Sequence, residues 1–161
     1  MAREPDTRRR GPLEPGTNET SSSRAEGSAI ATVVRYHHGL EFCADLESGR
    51  VTCDAFSDEK GRHYPSAPEL LMVSLGSCIG AVIVTYSDRH GITYEGLEVG
   101  LDWALAADPP HRIGRIAVEV RMPGPVTDEQ IEILKRVANQ CLIHNTLMHS
   151  PEMTVELRVG K

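Results

Sequence analysis

Residues 70–87 carry no charged side chain, and a stretch of about that length restricts its owner to few structural roles. It either spans a membrane or forms a helix that protein covers on most sides. Ser74, Gly76, Ser77, Gly80 and Thr85 dilute its hydrophobicity, and the rest of the chain alternates as soluble sheet does. A buried central helix is therefore the expectation. Its start is marked by Ser66 three residues before Glu69, a capping box, with Pro68 tolerated in the first turn. Gly91, after His90, is suited to close it. A small chain poor in aromatics could hardly wrap such a helix alone, so Gly76, Gly80 and Ala81 are expected to admit a second copy's helix across a dimer.

Strand patterns surround this helix. Residues 29–36 and 40–45 flank His37, His38 and Gly39 and predict a hairpin, because glycine takes the positive φ that a tight turn needs. A third strand is predicted over residues 50–56, followed by a polar, proline-broken loop. Leu97, Val99, Leu101, Trp103 and Leu105 recur at the two-residue period of a half-buried strand, as do Ile116, Val118, Val120 and Met122. Met153, Val155, Leu157 and Val159 predict a last strand by the same rule. Thr127 and Gln130 open a second helix, whose buried face holds Ile131, Leu134, Ala138 and Cys141. Three strands, helix, two strands, helix, strand is an α+β order with antiparallel sheets.

The formal net charge of −6 and the lack of a basic stripe argue against an electrostatic nucleic-acid footprint and disfavour an anionic membrane surface. Residues 1–27 hold almost no large apolar side chain and read as a disordered tail before a domain of residues 28–161. No apolar segment follows Arg8, Arg9 and Arg10, so an export signal is not expected and a cytosolic location is. In that reducing setting, the wide and uneven spacing of Cys43, Cys53, Cys78 and Cys141 does not predict a structural disulfide framework.

Cys78 and Cys141 are both expected in helices among apolar side chains, where a free cysteine usually acts as a small hydrophobe. A working thiol needs more. At its ordinary pKa of about 8.5 it is mostly protonated at neutral pH, and apolar burial raises that value further. Cys78 lies about three turns into its helix, beyond the reach of that helix's own N-terminus. A nearby cation would be required, and Arg62, His63 and Arg35 are the candidates by position.

Residues 65–92, "PSAPELLMVSLGSCIGAVIVTYSDRHGI", together with residues 141–147, "CLIHNTL", resemble the OsmC/Ohr family of osmotically inducible and organic hydroperoxide resistance proteins. The resemblance runs from about residue 28 to the end. It implies an OsmC-like fold with a long central helix, an intertwined homodimer with active sites at the subunit interface, and thiol peroxidase chemistry needing no cofactor. Cys78 would then be the peroxidatic cysteine, Cys141 the resolving one and Arg62 the accompanying arginine. An organic hydroperoxide would be the substrate and a dithiol the reductant, with Leu75, Val82 and Leu142 favouring fatty or aromatic substrates. Two departures stand out. Pro68 occupies the place of the peroxidases' glutamate, ten residues before the cysteine, and Leu142 stands where the family has a proline after the second cysteine. A non-enzymatic dimer holding an apolar metabolite is the competing reading. A metal set of Cys141, His144 and His149 is a third, lacking a second pair with ligand spacing.

Overall fold

Alternating apolar residues and well-placed glycines set up a first sheet. In the computed structural model, which describes residues 31–54 and 63–160, β1 (Val34–His38), β2 (Glu41–Leu46) and β3 (Gly49–Asp54) pair antiparallel in the order β1-β2-β3. Gly39 makes the first turn with φ +53°, the left-handed region that favours glycine. The expected hairpin is present, but His37 and His38 belong to β1 rather than to the turn. The proposed tail, along with residues 28–30 and 55–62, including the end of the predicted third strand, lies outside the described residues.

The uncharged run forms α1 (Ala67–His90), with Ser66 as N-cap and Gly91, at φ +64°, as C-cap. The capping box is complete: Ser66 N–H donates to Glu69 Oε2 at 2.7 Å, and Glu69 N–H donates to Ser66 Oγ at 3.4 Å. Replacing Ser66 by alanine should lower stability by about 1 kcal/mol, read as an earlier urea midpoint at unchanged slope. An unchanged midpoint would show that the cap is idle.

By length and composition α1 could cross a membrane. Within this chain it instead buries one face, Met72, Leu75, Gly76, Ile79, Ile83 and Ser87, at helical spacing. That face packs on β4 (Glu98–Leu105), which pairs antiparallel with β5 (Ile113–Arg121) in a second sheet. A Cβ on Gly76 would meet Leu101 Cδ1 at 2.8 Å. The close approach at Gly76 is thus to the chain's own sheet, whereas the sequence suggested a second copy's helix. Val73, off that face, is 62% exposed.

The second helical region differs from expectation. α2 (Asp128–Ala138) starts with the predicted capping box of Thr127 and Gln130 and ends at Asn139; a separate short helix, α3 (Leu142–Met148), follows. Cys141 is the N-cap of α3 rather than a residue inside one continuous helix. It is nonetheless fully buried, in a cluster with Leu75, Ile79, Ile83 and Leu134.

The predicted last strand does not form. Residues 149–160 take no regular structure, and Met153, Val155, Leu157 and Val159 are 82–93% exposed. A strand needs a neighbour for its backbone hydrogen bonds, and among the described residues this segment has none.

Candidate active site

The break between α2 and α3 brings the two sequence-singled cysteines together. Cys78 on α1 lies against the start of α3, near enough to Cys141 and to the backbone N–H groups of Ile143 and Leu142 for each to act on its thiol. Those N–H groups belong to the first turn of a helix, where no carbonyl of the same helix is available to them. A sulfur can accept them, and a thiolate accepts them best.

The two thiols are pushed in opposite directions. Burial alone would raise Cys78, but the hydrogen bonds from Cys141, Ile143 and Leu142 together outweigh it and hold Cys78 below the ordinary thiol value. For Cys141, burial is again the largest influence and raises the thiol; the bond to Cys78 raises it further, against donation from the His144 and Ile143 N–H groups. Cys141 also caps α3, its Sγ accepting the His144 N–H at 3.4 Å. The arrangement therefore makes Cys78 the more acidic thiol of the two, an inequality suited to nucleophile and partner.

The expected source of activation was a cation, and the structure supplies a different one among the described residues. Arg35 lies on β1, 3.7 Å from Asp45 and exposed. His63 is exposed, and its backbone N–H donates to Asp54 Oδ2 at 3.2 Å. Arg62 lies outside the described residues. Glu69 serves the cap of α1, its carboxylate also accepting the Ser66 hydroxyl at 2.6 Å. Leu142 is 73% exposed in this chain, so it does not wall the thiols as the sequence suggested. The N–H groups of Leu142 and Ile143 went unread in the sequence. Recognising Asn139 as a helix stop and Cys141 as a new cap would have revealed them.

Beside the cysteines, α1, α2 and β5 enclose an apolar groove of about 780 Å³, lined by Ile79, Ile83, Val118, Val120, Ile131 and Leu134. Neither cysteine lines it, but Ala138, Asn139 and His144 near Cys141 do. Cys141, His144 and His149 are not among the ligand groups that come together in the described residues; Nδ1 of His144 faces the Asn139 carbonyl and Nδ1 of His149 the Asn145 carbonyl.

No curated protein matches the chain. Solved structures do. An OsmC-like protein from Mycoplasma pneumoniae aligns at TM-score 0.66 and 18% identity, covering 77% of this chain and 90% of that one. An organic hydroperoxide resistance protein OsmC from Legionella pneumophila aligns at 0.58 and 19%, covering 76% and 92%. The organic hydroperoxide resistance protein OhrB of Bacillus subtilis aligns at 0.58 and 15%, covering 75% and 93%. At these identities the likeness is one of fold: antiparallel sheets with a long central helix. The profile of the OsmC-like protein family matches residues 57–156, a span that takes in α1, β4, β5 and the two cysteines, and so the chain belongs to the OsmC-like family.

Proposed function

We propose that the protein is a thiol-dependent peroxidase acting on organic hydroperoxides. The observation that carries this reading is the Cys78–Cys141 pair, with Cys78 lowered by hydrogen bonds and Cys141 raised by burial. The Cys78 thiolate attacks the terminal peroxide oxygen; the O–O bond breaks, the alkoxide takes a proton and leaves as alcohol, and Cys78 becomes a sulfenic acid. Cys141 then attacks that sulfur, its proton leaving with the hydroxyl as water, and a disulfide forms. A dithiol reduces the bridge by exchange, ending as its own disulfide and restoring both thiols. Such a cycle suits the cytosol, where dithiols are regenerated. The apolar groove next to Cys141 favours a carbon-rich substrate over hydrogen peroxide.

The proposal includes a homodimer. It is supported by the exposed alternating segment of residues 153–159 and by Val34, Tyr36 and Leu40 on or beside β1, each more than half exposed. Purified protein given cumene hydroperoxide and dithiothreitol should consume peroxide and yield cumyl alcohol, passing through a Cys78–Cys141 disulfide visible by peptide mass. Inertness toward several organic hydroperoxides would end this reading. The groove would then favour the second one, a dimer that holds an apolar metabolite, testable by native mass spectrometry of the intact dimer.

A further inference from the structure

Adjacent residues in a regular strand point to opposite faces, yet the two neighbouring histidines of β1 do not behave so. The register shifts between Tyr36, which pairs with Phe42, and His38, which pairs with Glu41. His37 is the extra residue of that irregularity, and an extra residue re-aims the side chains around it. Both imidazoles turn toward one carboxylate. His38 Nε2 lies 3.1 Å, and His37 Nδ1 3.6 Å, from the same Glu41 Oε2. All three candidate ligand atoms fall within 4.8 Å of one another.

Those separations have a meaning. A tetrahedral zinc ion bonded at about 2.0–2.2 Å to imidazole nitrogen and carboxylate oxygen keeps its ligand atoms about 3.3–3.5 Å apart, and the two observed nitrogen–oxygen distances bracket that range. The Glu41 side chain, 13% exposed, forms the floor, while the histidine side chains at 59% and 64% form an accessible mouth. Gly39 at φ +53° folds the hairpin so that donor and acceptor strands meet at this point.

We propose that His37, His38 and Glu41 form a binding site for a divalent transition ion of the zinc class, with a remaining coordination position open to water. Two imidazoles and one carboxylate suit zinc, nickel or copper, whereas magnesium and calcium prefer oxygen donors throughout. The site uses neither Cys78 nor Cys141, so its fate and that of the peroxidase reading are separate.

Zinc is titrated into the full chain by calorimetry, with a phosphine reductant that keeps the thiols reduced. A single ion should bind, and His37→Asn, His38→Asn and Glu41→Gln should each weaken binding by at least about tenfold. Cys43→Ser and Cys141→Ser should leave it unchanged. Cobalt in place of zinc should give visible bands without thiolate-to-metal charge transfer. Undiminished binding in the His37→Asn/His38→Asn double variant, loss of binding on replacing either cysteine, or thiolate charge-transfer bands would each overturn the site. Far-UV circular dichroism checks that each variant is folded; should Glu41→Gln unfold, the two histidine variants decide.

Discussion

Cys78→Ser is expected to reduce hydroperoxide turnover by at least about a thousandfold, the scale on which loss of an attacking group acts. The serine hydroxyl stays protonated at any workable pH, and its first-turn N–H partners at Leu142 and Ile143 cannot bring it into the ionised range. The two Cys141 variants divide the cycle. Cys141→Ser retains a hydroxyl able to donate to the Cys78 thiolate but cannot form the bridge, so the first attack continues and sulfenic acid accumulates, detectable with dimedone. Cys141→Ala removes the donor as well, and the Cys78 pKa rises. The sign follows from the reactive species: thiolate reacts, so alkylation by iodoacetamide is lost as pH falls through the Cys78 pKa. In the parent protein that loss comes below the ordinary thiol range of about 8.5; in Cys141→Ala it moves to higher pH. Equal peroxide consumption by the parent and Cys78→Ser would remove Cys78 from the reaction.

Introducing charge into the C-terminal segment, as Val155→Asp with Leu157→Asp, should convert a dimer to monomers. Both side chains stand more than nine-tenths exposed in the single chain, and with Met153 and Val159 they recur at the two-residue period of a strand face. Covering such side chains is worth about 1.5–3 kcal/mol each, and burying an unpaired carboxylate in their place costs more. Since each 1.4 kcal/mol is tenfold in affinity, the double variant should dissociate at least about a thousandfold more readily by sedimentation equilibrium. A parent chain that sediments as a monomer, or a variant that keeps the dimer mass, would sink the proposed assembly.

How much of this could be read in advance depended on the range of the interaction involved. α1 was legible from end to end, because the Ser66 and Glu69 cap and the Gly91 stop are local chemistry. The burial of Cys141 was legible from its apolar neighbours, but its position was not: the spacing of Leu134, Ala138 and Cys141 continues through Asn139 as though the helix did, and α3 turns Leu142 outward instead. The terminal alternation was plain, yet no strand forms there among the described residues, since hydrophobic pattern names a face and not a neighbour. Which backbone N–H groups reach Cys78 is a tertiary fact that no spacing encodes. The neighbouring histidines of β1 escaped notice for a similar reason, because only the register shift at His37 makes them co-facial.

The sulfur of Cys141 has two duties: it faces Cys78, and it secures the first turn of α3 by accepting the His144 N–H. Any covalent change at that atom is therefore also a change in how a short helix is anchored. The electron inventory of the pair and the tautness of residues 142–148 are one variable, so oxidation should be visible as altered amide exchange along that segment.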